Sequence, residues 1–424
     1  MKIRTRSLTY EQVMALPRPE ALTPARPNPL LRTALRLVCW ADLFRLGFTY
    51  ETHRMEEMGD GPWLIVMNHS SFIDLEIAYK LISPRPFGIV CTSDGFVGKP
   101  RLMRALGCIP TRKFVTDLAL IGNMRHALHK LGTSVLLYPE ASYSFDGTAT
   151  PLPRRMGLLL KKLNVPVVSI TTQGAFARDP LYNGLQKRKV RLSARMCGLL
   201  TAEEIKEKSV QELDDILDEA FSFDNFAWQK ENGIEITEPF RADGLDRILY
   251  KCADCGTEGQ MEGRGTLITC HACGKQHELT ALGQLQALEG ETKFPHIPDW
   301  YRWQRNQVRR ELEDGSYLLD TEVSIGMQVD YKAIYMVGEG RLRHDGDGFT
   351  LTGCGGKLHY SQKPQASYGL YSDYYWYEIG DVICIGNQSE LYYCFPKGGD
   401  PVAKTRLAAE ELYKITRAAR RGGR

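Results

Sequence analysis

The rhythm of hydrophobic and polar positions changes three times along the chain. From Gly61 to Leu200, short apolar runs without polar alternation are separated by stretches of helical spacing. WLIVM (63–67), FGIVCT (87–92), SVLLYPE (134–140) and VPVVSITTQGA (165–175) predict buried strands, and 71–81, 118–131 and 156–163 predict the helices between them. Strands apolar on both faces and linked through helices imply an α/β fold, a mostly parallel sheet covered by helices. Residues 201–222 predict an acidic amphipathic helix with Ile205, Leu213, Ile216 and Leu217 facing inward. Past a Trp-rich connector at 300–308, runs rich in Tyr, Ile and Val and broken by glycine predict antiparallel strands between Ser316 and Pro396, followed by a helix over 402–417. Such strands closed by one helix suit a small barrel of the pleckstrin-homology type. The pattern divides the chain into an N-terminal amphipathic segment (1–60), an α/β domain (61–240), a cysteine module (241–290) and a β-rich domain with its C-terminal helix (300–424).

In the first segment, 29-PLLRTALRLVCWADLFRLGF-48 puts Leu30, Leu31, Ala34, Leu35, Val38 and Cys39 on one helical face, with Arg32, Arg36 and Arg45 at its margins. That face suits either an anionic membrane interface or packing on the next domain. The opening residues lack the apolar core of a secretory signal. No run reaches the roughly 18 apolar residues of a membrane-spanning helix. These features predict a cytoplasmic protein, peripheral on the inner face of a membrane. Hydrophobic residues make up 43% and charged residues 25%, which excludes a disordered chain, and a net charge of +3 names no partner. Charge is uneven, however: 99–113 and 187–195 each carry five basic residues and suit phosphate groups or anionic lipid, or are plain solvated faces.

Eleven cysteines without a secretory signal point to a reducing setting, in which paired cysteines bind metal more often than they form disulfides. Cys252-x2-Cys255 and Cys270-x2-Cys273 are each followed by glycine, the spacing of a tetrahedral structural zinc site of the ribbon type. Four thiolates leave no open position for catalysis, and His271 and His277 are spare. The segment has few basic residues and no stripe of aromatics, which argues against nucleic acid as a partner.

The remaining chemistry is at 68-NHSSFID-74. His69 follows a strand and Asp74 falls at the start of a helix, with Ser70 or Ser71 placed to cap it. A histidine outside the helix can fold back onto the aspartate, which would fix its tautomer and leave the other ring nitrogen as a base. Alone, such a pair is more often a satisfied turn histidine. Downstream, in order, come 107-GCIPTR-112, 138-YPEASYS-144 and 164-NVPVVSI-170. This ordered set resembles the four blocks of the glycerolipid acyltransferase superfamily, whose best-known members are the 1-acylglycerol-3-phosphate acyltransferases. The resemblance covers roughly residues 40–220.

The resemblance implies His69 as the general base, oriented by Asp74, and Arg112 as a ligand of the acceptor's phosphate. Glu140, Ser142 and Tyr143 would belong to the acceptor side and Pro166 to the acyl side. It further implies an acyl-CoA or acyl-ACP donor and a lysophospholipid-type acceptor. The third block departs from the family pattern: alanine, serine and tyrosine stand at 141–143 where the family has glycine, threonine and arginine. The missing arginine leaves Lys113, Arg154 or Arg155 to compensate, or another head group to be bound. Two other readings compete with the enzyme. A degenerate acyltransferase fold kept as a lipid-binding regulator would bind lipid without turnover. A zinc-ribbon nucleic-acid binder would show steeply salt-dependent affinity.

Overall fold

The computed structural model describes residues 2–422 apart from 21, 114, 116 and 154. Arg154, one of the expected compensating cations, therefore lies outside the described residues. After a short strand β1 (Thr5–Ser7), the first sheet comprises β2 (Thr49–His53), β3 (Leu64–Met67), β4 (Phe87–Thr92), β5 (Cys108–Thr111), β6 (Ser134–Leu137), β7 (Val167–Gln173) and β8 (Ser193–Leu200). Their order is β2-β8-β7-β3-β6-β4-β5. Neighbours run parallel except β7 and β8, which are antiparallel. Alternation explains the two covered faces. Ile65 and Met67 pack with Ile73 and Ile77 of the Ile73–Ile82 helix on one side. Leu64 and Val66 pack with Leu128, Leu160, Leu213 and Leu217 on the other.

The second sheet is an antiparallel ribbon, β12-β11-β10-β9, built from β9 (Met261–Arg264), β10 (Leu267–Cys270), β11 (Gln276–Leu279) and β12 (Leu285–Ala287). The third holds β13 (Leu319–Gln328), β14 (Ile334–Asp345), β15 (Gly348–Gly353), β16 (Leu358–Gln362), β17 (Tyr371–Trp376), β18 (Gly380–Gly386) and β19 (Leu391–Pro396) in the order β16-β15-β14-β13-β19-β18-β17. β1 adds to it in parallel beside β14, so the N-terminus joins the last sheet. The C-terminal helix spans Val402–Gly422.

Several elements differ from the sequence expectation, each for a local reason. The connector at 300–308 lies within a helix, Ile297–Glu313, that buries Trp300, Tyr301, Gln304 and Val308 on one face. Gln304 accepts from Lys251 N–H (2.9 Å) and donates to the Ile248 carbonyl (2.7 Å), so a buried polar side chain is satisfied by ribbon backbone. The acidic helix is split into Ala202–Glu207 and Val210–Ala220, because Ser209 and Glu212 form a capping box that starts the second piece. The Pro29–Arg45 helix divides its expected apolar face: Leu35, Cys39 and Leu43 pack inward, whereas Leu30, Leu37, Val38, Trp40 and Phe44 are exposed. Among the described residues no helix is long and apolar enough to cross a membrane.

The third sheet covers the carboxyl-end edge of the first. Tyr371, Trp376, Tyr393 and Phe395 pack with Val97 and Val115. Asp94, just past β4, accepts from Tyr371 Oη (2.8 Å) and Trp376 Nε1 (3.2 Å), and Ser93 Oγ donates to Gln328 (2.8 Å).

Candidate functional site

Parallel strands bring their carboxyl ends to one edge, and the loops after β3, β5, β6 and β7 meet there. Beyond β3, Asn68 Oδ1 accepts from Thr172 N–H on β7 (2.8 Å), which fixes the turn. His69 then folds back, and its Nδ1 lies 3.1 Å from Asp74 Oδ2. The same oxygen accepts from the N–H groups of Ser70 (2.7 Å) and Ser71 (3.0 Å), and Asp74 Oδ1 accepts from Thr172 Oγ1 (3.2 Å). With backbone donors already aimed at Oδ2, Nδ1 is the protonated ring nitrogen and Nε2 keeps its lone pair. The Ile73–Ile82 helix therefore starts without a side-chain bond from its cap residue Phe72. Ser71 Oγ accepts from Ile73 N–H (3.2 Å), and the expected capping role falls mainly to Asp74.

The loop after β6 clamps the histidine backbone from both sides. His69 N–H donates to Glu140 Oε1 (3.1 Å), and Ser144 N–H donates to the His69 carbonyl (3.0 Å). Glu140 is buried and also accepts from Thr150 N–H (2.8 Å) and Oγ1 (2.9 Å); burial pushes its pKa up to about 7 against these bonds. The imidazole is stacked on Tyr138 at 3.9 Å and tilted against Tyr143 at 4.3 Å. The His69 side chain keeps 20% of its surface exposed. Burial of the rest holds its pKa below the ordinary value, with Asp74 opposing and the Lys113 charge assisting. A neutral imidazole at neutral pH follows. Ala141 has φ of 57°, the left-handed region that favours glycine.

Not every expected site residue converges. Arg112 turns away: its Nη1 donates to the carbonyls of Asn387 (3.0 Å) and Gln388 in the turn between β18 and β19. Pro166 precedes β7, whose first residue pairs with Leu64 at the opposite strand end. With about 3.3 Å of rise per residue, it lies on the order of 10 Å or more from His69. Arg155 lines a separate cleft of about 900 Å³ with Tyr413, Lys414 and Arg417. In the 187–195 cluster, Arg188 is buried against Tyr182 and Arg241, and Arg195 pairs with Glu51. Residues that the sequence did not single out include Thr172, Thr150, Tyr138 and Arg406. The last is on the C-terminal helix, 264 residues from Ser142, to whose Oγ it donates at 2.9 Å.

The four cysteines do converge. Cys252 Sγ lies 3.8 Å from Cys273 Sγ and Cys255 Sγ lies 3.8 Å from Cys270 Sγ, with all four sulfurs within 4.8 Å of one another. A tetrahedral site with metal–sulfur bonds of about 2.3 Å has sulfurs about 3.8 Å apart, so this group fits a metal ion. Gly256 and Gly274 each have φ of 76° and close the two knuckles by donating to Cys252 and Cys270 carbonyls. His271 instead pairs with Glu262 at 3.0 Å, and His277 is buried edge-on to Trp300.

Residues 49–173, from β2 through β7, match the family model described as acyltransferase. That stretch holds His69, Asp74, Arg112, Glu140, Ser142, Tyr143 and Pro166 and excludes the cysteine group and the third sheet. Over 120 residues the chain is 28% identical to the chloroplastic 1-acyl-sn-glycerol-3-phosphate acyltransferase BAT2 of Brassica napus, covering 27% of this chain and 34% of that protein. The chain thus spans about a third of the length of the curated relative it matches. Among solved structures it is similar to the 1-acyl-sn-glycerophosphate (LPA) acyltransferase PlsC of Thermotoga maritima, at 16% identity and a TM-score of 0.34, covering 45% of this chain and 76% of that one.

Proposed function

We propose that the protein is an acyltransferase that moves a fatty acyl group from a thioester of coenzyme A or acyl carrier protein to the hydroxyl of a lysophospholipid-type acceptor, 1-acylglycerol-3-phosphate or a relative. The observation that carries this reading is the His69 imidazole, neutral, bonded through Nδ1 to Asp74 and free at Nε2 among the described residues. Nε2 takes the proton of the acceptor hydroxyl as its oxygen attacks the thioester carbonyl. The tetrahedral intermediate collapses with cleavage of the C–S bond, and the leaving thiolate takes the proton from the imidazolium. Asp74 holds the tautomer and stabilises the transient charge. No covalent enzyme intermediate is needed. The site residues belong to this reading in unequal degree: His69 and Asp74 carry the chemistry, and Glu140, Ser142 and Tyr143 shape the acceptor side. Arg112 would serve the acceptor only after leaving the 387–388 turn, and Pro166 supports β7 rather than the acyl chain.

The cysteine group is proposed to hold a structural zinc, on the sulfur spacing. The strand order of the third sheet, closed by a helix, supports the pleckstrin-homology-type reading of 300–424, and the ribbon supports a separate module over 241–290. The Pro29–Arg45 helix, with Leu37, Val38, Trp40 and Phe44 exposed beside Arg32, Arg36 and Arg45, supports peripheral binding to an anionic, cytoplasmic-side membrane surface. No nucleic acid is part of this reading.

The test is thiol release from acyl-CoA with a panel of lysolipids, followed by mass spectrometry of the products. Acylated product from the unaltered protein and none from His69→Ala is the expected result. Turnover by the mutant equal to that of the parent would remove the mechanism.

A further inference from the structure

An acyl transfer to a phosphate-bearing acceptor needs a cation near His69, and the two conventional positions do not supply one here. Arg112 is held by the carbonyls of Asn387 and Gln388. The third block has Tyr143 in place of the family's arginine.

Two other cations remain at the junction of the first and third sheets. Lys113, one residue beyond Arg112, is half-buried and makes no hydrogen bond or ion pair among the described residues. Its ammonium sits 4.4 Å over the Tyr371 ring. Asp94, Asp373, Cys384 and Arg406 face it, and its own charge reaches His69. Asp94 is already occupied by Tyr371 and Trp376, and Asp373 Oδ1 by the N–H of Tyr374 (2.9 Å). A half-buried ammonium without a bonded counter-charge is a costly arrangement that an anion would relieve.

Arg406 arrives from the C-terminal helix and is buried. Besides its bond to Ser142 Oγ, Nη1 donates to the Tyr143 carbonyl (3.4 Å), Nε donates to Glu410 (3.3 Å), and the guanidinium lies 4.1 Å over Phe145. Glu410 and Glu411 pair with Arg305, Arg309, Arg406 and Lys414, and Glu313 pairs with Arg309 in turn, so Arg406 is held in an ion-pair network that fixes its guanidinium beside the loop after β6. The field of Arg406 reaches both Glu140 and Lys113.

We propose that Lys113 and Arg406 replace the absent third-block arginine: Lys113 meets the acceptor's phosphate monoester, and Arg406 is a positioning residue that holds Ser142 and Tyr143 and adds its charge from the far end of the chain. The substrate class is a glycerol phosphate with a free hydroxyl, acylated or not, in preference to uncharged hydroxyl acceptors. This rests on the acyl-transfer reading for its chemistry, but an independent binding measurement separates the two.

The test uses the full chain with Lys113→Ala, Lys113→Arg, Arg406→Ala and Arg406→Lys. Acyl transfer is measured to 1-acylglycerol-3-phosphate and to monoacylglycerol, and binding of glycerol 3-phosphate is measured by calorimetry. Each alanine variant should raise KM for the phosphate acceptor on the order of 10- to 100-fold, the scale of one lost charge-assisted hydrogen bond. KM for acyl-CoA should stay unchanged, and the loss with monoacylglycerol should be much smaller than with the phosphate acceptor. The Arg and Lys variants should recover part of the loss. The calorimetric affinity for glycerol 3-phosphate should fall in parallel, and lipid-linked and free phosphate sources are told apart by comparing the two arms. Equal losses on charged and uncharged acceptors, with a lowered melting temperature and no rescue by Arg406→Lys, would reduce Arg406 to a structural role and overturn its part. Unchanged KM and affinity in Lys113→Ala would overturn the rest. If no acyl transfer occurs but glycerol 3-phosphate binds through these two residues, the anion site stands and the reaction assignment fails. If neither transfer nor binding occurs, both are wrong.

Discussion

The first and third sheets contribute to the same site in opposite ways. The seven-stranded sheet offers its strand ends, so His69, Lys113 and Glu140 emerge from loops, and Thr172 from the end of β7, that parallel neighbours bring to one edge. The eight-stranded sheet offers a side-chain face, where Tyr371, Trp376 and Tyr393 lie over that edge, and then sends Arg406 across from its closing helix. One sheet supplies the proposed base within five residues of the carboxylate it is bonded to. The other supplies charge across 264 residues of sequence. A loop site needs only correct local turns, whereas a face site needs the whole third sheet docked in register.

That contrast fails most visibly if the base is not at the strand end. His69→Ala should cut kcat by on the order of 10³-fold or more, the scale of general-base catalysis, with the melting temperature nearly unchanged. Steady-state rates and a thermal melt check both. A large fall in melting temperature would mean that the loop, not the base, was lost.

The next largest effect concerns what holds the third sheet in place. Glu258 of the ribbon region pairs with Lys404 (2.8 Å), and Glu311 pairs with Lys404 (2.7 Å), so the ribbon is tied to the helix that carries Arg406. Structural zinc sites contribute roughly 10 kcal/mol or more to the folding of small modules. Chelation, or Cys270→Ala, should therefore lower the melting temperature and weaken activity by way of the Arg406 contact, while leaving His69 in place. Metal content by mass spectrometry and a melt with and without chelator test this. Full activity in metal-free protein would detach the ribbon from the site.

The legibility of these regions followed the same division. His69 and Asp74 were readable because both residues lie in one turn, and the strands of the third sheet because their period of two is local. β2 was not readable: all five of its residues are exposed, which leaves no apolar signal at the sheet edge. The Ile297–Glu313 helix is masked by its Trp-rich composition, although Trp300, Gln304 and Val308 recur at helical spacing. The role of Arg406 and the diversion of Arg112 could not be read at all, since each depends on docking between distant segments.

Protonation gives a gentler probe of the strand-end site. The His69 pKa is depressed in the folded protein, chiefly by burial, so the reactive neutral form persists below the ordinary histidine pKa of about 6.5. The acidic limb of kcat/KM should inflect below pH 6.5, and Lys113→Ala should move that inflection upward by removing a neighbouring positive charge. A limb unmoved by that variant would place Lys113 out of electrostatic reach. Stability should show the opposite sign for the buried acids. Glu140 and Asp373 both have folded pKa values pushed up to about 7, so the folded state holds their protons longer than the unfolded chain. Their contribution is greatest in acid and is lost as pH rises from about 4 to about 7. Asp373→Asn should accordingly raise the melting temperature at pH 7.5 and leave it nearly unchanged at pH 3, below the ordinary carboxyl pKa of about 3.9. A rise of equal size at both pH values would show that its carboxylate, and the third sheet with it, is better solvated than this junction implies.

The membrane face tests whether the helix that packs on the first sheet approaches lipid. Phe44 is 78% exposed and Leu37 60% on the Pro29–Arg45 helix. Replacing either with Glu removes about 1.5–3 kcal/mol of apolar burial in an interface, or roughly 10- to 100-fold in partitioning. Sedimentation with anionic vesicles should register that loss, with no change in melting temperature. Binding unaffected by both changes would leave the exposed row without a lipid role.

The smallest effect isolates backbone strain in the loop after β6. Ala141 sits at φ of 57°, where a Cβ costs roughly 1–2 kcal/mol. Glycine removes that cost but gains about 0.4–1 kcal/mol of freedom in the unfolded chain, leaving a net stabilisation of up to about 1 kcal/mol. In a protein of this size that is a rise of roughly 2 °C or less in melting temperature. Ala141→Gly should therefore raise the melting temperature slightly and leave kcat alone, because Glu140 and Ser144 still clamp His69 through backbone bonds. A lowered kcat with a raised melting temperature would mean that the stiffness of alanine, and not the clamp, keeps the histidine aimed. The local turn would then be as dependent on strain as the distant arginine is on docking.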